Sequence, residues 1–132
     1  DSIGKEAITL IHPTVSCGRN VEIGKGCMVG ARVILTTDIV IGKHVLINIA
    51  TTISHDSNVE SYTVLSPGCH LTGNTFIGEG AMLGTGVITL PYSIIGKQSI
   101  IGAGAVVRGE IPPRSLAVGV PAKVIKAISL ED

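Results

Sequence analysis

His55 and Asp56 are adjacent residues whose side chains could together remove a proton from a reacting group. An unperturbed histidine has a pKa of about 6.5, so its neutral ring can act as a general base near neutral pH. A carboxylate that hydrogen-bonds the ring fixes its orientation and stabilises its charged form. Neighbouring side chains of a regular strand point to opposite faces, so this pair can meet only where the chain turns a corner. The alternative is a solvated His–Asp pair without a catalytic role.

A six-residue period surrounds the pair and predicts the structure that must position it. Counting from Ile11, every sixth residue up to Val107 gives seventeen positions, and fifteen of them hold Ile, Val or Leu. The fifth place of each hexad holds only Val, Ile, Cys, Thr, Ser or Ala. Two uncharged inward places per six residues are typical of a short strand followed by a corner, whereas a helix would need a period of 3.6.

We therefore predict an all-β domain, a parallel β-helix with three hexads, or about 18 residues, in each triangular coil. Eight hexads have glycine in the second place, which suits corners that need a positive φ or a close backbone approach. The predicted organisation is a lead-in or linker over residues 1–10, the β-helix over residues 11–111, and a turn, closing segment and tail over residues 112–132. The last segment would cover the unpaired strands at the end of the helix.

Stacking of coils predicts which residues lie beside His55. With 18 residues per coil, its neighbours in the adjacent coils are Thr37 and Gly73. Gly73 would place a backbone N–H about one strand spacing from the imidazole. A base beside such a donor suits acyl transfer, because the donor stabilises the oxyanion of the tetrahedral intermediate. Another corner has a column of His12, Gly30, Asn48, Ser66, Gly84 and Gly102, which is compatible either with a smooth groove for a long, thin ligand or with plain corner turns.

Composition argues against several functional classes. A formal net charge of +0 gives no electrostatic attraction to nucleic acid or to an anionic membrane. No apolar run reaches the roughly 18 residues of a membrane-spanning helix. The four histidines occupy different places in their hexads, which argues against a zinc site within one chain and against a γ-class carbonic anhydrase. Cys17, Cys27 and Cys69 fall in inward places, so we expect reduced packing thiols in a cytoplasmic protein.

Several motifs in this order resemble the hexapeptide-repeat acyltransferases, most of all the sialic acid O-acetyltransferase and UDP-amino-sugar N-acetyltransferase group. They are the ladder itself, the Ile-His-Pro-Thr run at 11–14, the hexad around His55, the Leu-Thr-Gly-Asn run at 71–74 and the Gly-Val-Pro-Ala-Lys run at 119–123. The resemblance covers about residues 8–126. It implies a left-handed β-helix, a homotrimer with active sites between neighbouring chains, and acetyl-CoA as the acetyl donor.

The resemblance also implies residue roles. His55 corresponds to the general base, Asp56 to the acid that hydrogen-bonds it, and Gly73 to the glycine whose N–H meets the thioester carbonyl. Asn48 corresponds to an active-site amide, and contacts with the coenzyme are implied for Gly73, Gly84, Thr85, Gly102, Ala103 and Lys123. Val64 stands where the amino-sugar enzymes often have another histidine. The family usually carries an N-terminal sugar-nucleotide domain, which the residues before Ile11 could not form, so we expect either that it was removed from this fragment or that the acceptor differs.

Together these observations predict an acetyltransferase that moves an acetyl group from acetyl-CoA to an amine or hydroxyl of a sugar or sugar nucleotide. In this prediction His55 takes the proton from the acceptor and the Gly73 N–H holds the oxyanion. No metal, nucleic acid or membrane partner is expected. An acetyltransferase for another small amine or alcohol, and a non-catalytic β-helical scaffold, are the alternatives.

Overall fold

The computed structural model describes residues 4–129 and confirms the predicted fold, a left-handed parallel β-helix of about six coils. Twenty strands, numbered in chain order, form three sheets. Sheet 1 contains β1 (Leu10–Ile11), β4 (Met28–Val29), β7 (Leu46–Ile47), β10 (Val64–Leu65), β13 (Met82–Leu83), β16 (Ile100–Ile101), β19 (Ser115–Val118) and β20 (Lys123–Ala127). Sheet 2 contains β2 (Ser16–Cys17), β5 (Ile34–Leu35), β8 (Thr52–Ile53), β11 (His70–Leu71), β14 (Ile88–Thr89) and β17 (Val106–Val107). Sheet 3 contains β3 (Val21–Ile23), β6 (Ile39–Ile41), β9 (Asn58–Val59), β12 (Phe76–Ile77), β15 (Ile94–Ile95) and β18 (Glu110–Ile111).

The strands pair with a register of one coil. Thr52 pairs in parallel with His70, 18 residues later, and this offset recurs through the stack up to the last coil. The last coil is shorter, since Ile100 pairs with Leu116. β20 then turns back and pairs antiparallel with β19, so it covers the strand edge at the C-terminal end of sheet 1.

Turns between the sheets form three corners that run along the helix. The first corner, between sheets 1 and 2, contains residues 12–15, 30–33, 48–51, 66–69, 84–87 and 102–105. The second corner, between sheets 2 and 3, contains residues 18–20, 36–38, 54–57, 72–75, 90–93 and 108–109. The third corner, between sheets 3 and 1, contains residues 24–27, 42–45, 60–63, 78–81, 96–99 and 112–114.

Every turn from Asn20 to Gly104 holds the fourth residue of its hexad in the left-handed region, with φ between 55° and 75°. The glycines in the second place have no such φ and serve close approach instead. A Cβ on Gly84, for example, would lie 2.7 Å from the backbone nitrogen of Ala103 in the next coil. Positive φ and close approach therefore fall on different places of the hexad.

The first and fifth places face the core, as predicted, except in the N-terminal coil. Ile53 and Ile77 are fully buried, whereas Ile11 is 49% exposed and Cys17 is exposed. The prediction that Cys17 is a packing thiol is therefore wrong, because within the described residues no complete coil covers that end. The same prediction is confirmed for the other two cysteines, which are buried. Residues 4–129 contain no helix with the length and apolarity needed to cross a membrane.

Candidate active site

His55 and Asp56 occupy the third and fourth places of one turn at the second corner. The left-handed backbone at Asp56, with a φ of 58°, turns its side chain back towards the preceding residue. Its Oδ2 atom lies 2.8 Å from Nδ1 of His55. The corner therefore provides the contact that a regular strand would forbid.

This contact fixes which ring nitrogen of His55 can act as a base. An ionised carboxylate only accepts hydrogen bonds, so the Nδ1–H group donates to Asp56. The lone pair of the neutral ring is then on Nε2. That nitrogen lies over Gly73, where a Cβ would come within 2.6 Å of it. The imidazole thus rests on the backbone of the next coil, in space that only a glycine leaves open.

Gly73 is held on both sides by backbone hydrogen bonds. Its carbonyl accepts from the Tyr92 N–H at 3.1 Å, and the Asn74 N–H donates to the His55 carbonyl at 2.9 Å. The N–H of Gly73 itself has no hydrogen-bond acceptor within residues 4–129. From Cys17 to Ile101, glycine occupies the third place of a hexad only here. A free donor therefore lies beside the proposed base.

The second corner leaves this pair open to solvent. The side chains of His55 and Asp56 are 56% and 54% exposed, respectively. An acceptor can reach Nε2 directly, but one chain supplies only one wall for it. The pair is therefore accessible but, within one chain, not enclosed.

Four of the residues implied for coenzyme binding, Gly84, Thr85, Gly102 and Ala103, lie together on the first corner, whereas Gly73 lies beside His55 on the second. Gly84 stacks on Ala103, and the Gly104 N–H donates to the Thr85 carbonyl at 2.8 Å. Asn48, on an earlier coil of the same corner, donates from Nδ2 to the Leu65 carbonyl at 3.2 Å. These contacts form one continuous column of small and polar residues along the helix.

Lys123 joins the C-terminal end of this column. It lies in β20 and pairs with Val118 of β19. Val118 in turn lies against Gly102, where a Cβ would be 2.8 Å from its Cγ1 atom. Lys123 therefore lies one strand beyond the residue that packs against the C-terminal end of the first corner.

Within one chain the structure does not bring the first corner to His55. Sheet 2 separates the two corners, and equivalent positions on them are six residues apart. His55, Asp56 and Gly73 therefore form one cluster, and Asn48 belongs to the other.

A shallow depression of about 370 Å³ marks the N-terminal part of the first corner. His12, Gly30 and Asn48 form its corner side. Its other wall is the outer face of sheet 1, with the apolar side chains of Leu10, Met28 and Leu46. The predicted groove is therefore flanked by an apolar sheet face.

A polar pair that the sequence analysis did not identify lies between the two corners. On the outer face of sheet 2, Nδ1 of His70 and Oγ1 of Thr52 are 2.7 Å apart. Thr52 begins β8, three residues before His55, and His70 begins β11, three residues before Gly73. The sequence could have predicted this pair, because Thr52 and His70 are 18 residues apart and therefore occupy the same place in adjacent coils.

The buried thiol of the first corner has the chemistry of a packing group. The Cys69 thiol donates to the Gly84 carbonyl at 3.3 Å. Burial raises the pKa of this thiol, so it resists forming the nucleophilic thiolate. Among residues 4–129, no group of three or more His, Cys, Asp or Glu side chains could hold a metal ion.

Comparisons with known proteins agree with this architecture. Residues 74–109 match the family model described as bacterial transferase hexapeptide (six repeats). The galactoside O-acetyltransferase of Lactococcus lactis is 36% identical over 117 residues, which cover 87% of this chain and 56% of that protein. The chain belongs to the hexapeptide-repeat acyltransferases. The Escherichia coli galactoside O-acetyltransferase is 32% identical to this family member over 126 residues, 92% of the chain and 62% of the relative. The chain thus spans little more than half the length of these relatives.

Solved structures of acetyltransferases superpose closely on this chain. A histidine-to-asparagine mutant of perosamine N-acetyltransferase from Caulobacter crescentus, in complex with CoA and GDP-perosamine, has a TM-score of 0.93 and 34% identity. That match covers 95% of this chain and 60% of the other. The acetyltransferase domain of PglB from Neisseria gonorrhoeae has a TM-score of 0.91 and 35% identity, with coverages of 94% and 60%.

Proposed function

We propose that this protein transfers an acetyl group from acetyl-CoA to a hydroxyl or amine of a sugar or sugar nucleotide. The observation that carries the proposal is the His55 imidazole, bonded to Asp56 on one side and resting on Gly73 on the other. This arrangement combines an oriented base with a free backbone donor. Those two groups are what acyl transfer to a neutral acceptor requires.

Each proton in the reaction can be assigned. Nε2 of His55 takes the proton from the acceptor as its oxygen or nitrogen attacks the thioester carbonyl carbon. The N–H of Gly73 donates to the oxyanion of the tetrahedral intermediate. As the carbonyl re-forms, the C–S bond breaks, and the imidazolium returns its proton to the departing sulfur. Asp56 stabilises the imidazolium between these two steps.

The first corner has the shape and charge to bind the coenzyme. Its small residues let a thin pantetheine arm approach the backbone, and Lys123 supplies a cation for the phosphates. The PglB acetyltransferase domain has been solved in complex with acetyl coenzyme A, which supports acetyl-CoA as the donor here. The residues that we assign to the coenzyme are Gly73, Gly84, Thr85, Gly102, Ala103 and Lys123.

A complete site needs two chains in this proposal. His55 and Gly73 lie on one edge of sheet 2, and the coenzyme residues of the first corner lie on the other, so one chain does not present both groups to the same acetyl group. Placing the second corner of each chain against the first corner of its neighbour combines them. A closed ring of three chains would contain three such sites. Asn48 would then act in a site with His55 of the neighbouring chain.

The acceptor assignment is supported by the acceptors named for the relatives. Galactoside O-acetyltransferases match by sequence, and the perosamine enzyme has been solved with GDP-perosamine. Both kinds of acceptor are sugars, one with a reacting hydroxyl and the other with a reacting amine. A reducing cytoplasmic setting stays a prediction from the cysteines.

Subunit complementation tests the base and the shared site together. Thiol release from acetyl-CoA is followed with GDP-perosamine, UDP-amino sugars and galactosides as acceptors. We expect His55→Ala to be inactive because it lacks the base. We expect Ala103→Trp to be inactive because its side chain blocks the coenzyme column.

Mixing the two inactive chains should restore activity. If equal amounts of the two chains assemble at random, half of the second corners and half of the first corners are intact. About a quarter of the sites then combine an intact second corner with an intact first corner. Light scattering verifies that each variant has the oligomeric state of the wild type. Full activity in His55→Ala would contradict the role of the base. Mixed trimers with no recovered activity would contradict the shared site.

A further inference from the structure

The third corner carries an aromatic column that the proposed reaction does not use. The fourth places of its successive turns hold His44, Tyr62, Gly80 and Gln98, followed by Arg114 at the shorter last turn. The rings of His44 and Tyr62 stack with their centroids 5.3 Å apart and their planes inclined by 13°. Tyr62 is 60% exposed. The column thus continues from a stacked pair to a position without a side chain.

Gly80 leaves a slot in this column. A Cβ at Gly80 would have one neighbour within 4 Å, Cγ of Gln98 at 3.3 Å. Tyr62 and Gln98 are two coils apart, which corresponds to about 9.6 Å. Stacked rings have centroids about 4.5–7 Å apart. The slot therefore accommodates one planar ring on the free side of Tyr62.

Cationic groups lie at the C-terminal side of the same slot. The depression has a volume of about 310 Å³ and is lined by Tyr62, Glu79, Gly80, Lys97, Gln98 and Arg114. Nε of Arg114 donates to Oε1 of Gln98 at 2.9 Å, which orients the guanidinium. Its terminal nitrogens remain available as a charge-assisted donor fork. Lys97 adds a second positive charge to the lining, and Glu79 contributes one negative charge.

We propose that this slot binds a nucleoside phosphate. The base stacks on Tyr62 at the level of Gly80, and the phosphate reaches Arg114 and Lys97 with the ribose between them. Base stacking and phosphate contacts are separate contributions, so the ligand needs both a planar ring and an anion. Sheets 1 and 3 separate this slot from the first and second corners. Occupancy therefore requires no residue of the proposed active site, and the slot can hold its ligand during acetyl transfer.

Calorimetric titration of the whole chain with AMP tests the proposal. Adenosine lacks the phosphate and ribose 5-phosphate lacks the base, so each should bind at least about tenfold more weakly than AMP. Tyr62→Leu removes the stacking surface and should weaken AMP binding by about tenfold or more. Tyr92→Leu is the matched control, because Tyr92 has the same place in its turn, is 72% exposed and lies on the second corner. It should bind AMP as the wild type does.

Gly80→Asn fills the slot without a conformational penalty for the turn. Asn20 and Asn74 already occupy this place in other turns, with φ values of 56° and 58°. AMP binding should fall about tenfold or more in this variant, while thiol release from acetyl-CoA should be unchanged. Equal AMP binding in Gly80→Asn and wild type, or no binding by the wild type, would overturn the proposal.

Coenzyme A also contains adenine, so its own site must be distinguished from the slot. Any AMP binding that remains in Gly80→Asn is challenged with coenzyme A. Residual binding as tight as that of the wild type, and displaced by coenzyme A, would place AMP in the coenzyme site and contradict the slot. These binding results are independent of the acetyl-transfer assay, so failure of one proposal can be distinguished from failure of the other.

Discussion

The first and second corners have the same turn and differ in the side chains that the turn presents. From Asn20 to Gly104, both have a left-handed residue in the fourth place of each turn, at Ala50 and Asp56 for example. The second place of the first corner is glycine in three of the six described coils, which leaves the corner without a side chain there. The second corner presents an imidazole and a carboxylate at consecutive places of one turn. The fold supplies the geometry at every corner, and individual residues decide where chemistry is possible.

Two glycines, one on each corner, show this difference most clearly. A Cβ on Gly73 would collide with the His55 ring, 2.6 Å from Nε2. A Cβ on Gly84 would collide with backbone, 2.7 Å from the Ala103 nitrogen. A ring can rotate away, whereas the backbone of a stacked coil cannot. The glycine of the second corner therefore leaves space for a functional side chain, and that of the first corner allows the coils to stack.

Alanine at each of these glycines should separate activity from stability. Gly73→Ala should reduce kcat about a hundredfold, because the imidazole must leave the position that aligns it with the acceptor. Its melting temperature should change little, since its φ is not in the left-handed region and the displaced group is a half-exposed ring. Gly84→Ala should lower the free energy of unfolding by about 1–3 kcal/mol. Thermal unfolding of both variants measures the change in stability, and steady-state kinetics measures the change in kcat. Equal loss of stability in the two variants would contradict the distinction.

A pair of aspartates on the second corner tests whether the carboxylate matters only beside the histidine. Asp56→Asn should lower kcat about tenfold to a hundredfold, because the amide no longer stabilises the imidazolium. The effect is smaller than for a buried triad, since both side chains are about half exposed. Asp38→Asn is the matched control, because Asp38 has the same place one coil earlier and accepts from Nδ2 of Asn20 at 3.0 Å. It should retain wild-type kcat, and a similar loss in both variants would assign the effect to the turn.

Sequence periodicity was sufficient to predict the coil, its 18-residue register and most of the core. These follow from the pattern because a repeat with two inward places per hexad buries them only by stacking. The relation of His55 to Gly73 comes from the same arithmetic. The left hand of the helix came only from the family resemblance, since a repeat pattern has no handedness.

The sequence did not reveal which place of the hexad takes a positive φ. Glycines concentrate in the second place, where close stacking requires them, while the fourth place also holds Arg32, Tyr62 and other residues that rarely adopt this conformation. The contact between Asp56 and His55 requires the positive φ of that place. Exposure of Cys17 was also missed, because a repeat pattern does not distinguish an end coil from a middle one.

The thiols provide the smallest effect and a final contrast between an exposed and a buried position. Cys69 is buried at the first corner, and its raised pKa keeps it protonated to a higher pH than an ordinary cysteine. A thiol reagent at pH 8 should therefore modify Cys17 rapidly and Cys69 only slowly or after unfolding. Rapid modification should disappear in Cys17→Ser. Cys69→Ala should retain wild-type kcat and lose only about 1 kcal/mol of stability from the small void. Rapid modification of Cys69 that stops acetyl transfer would instead indicate that this corner contains a reactive group.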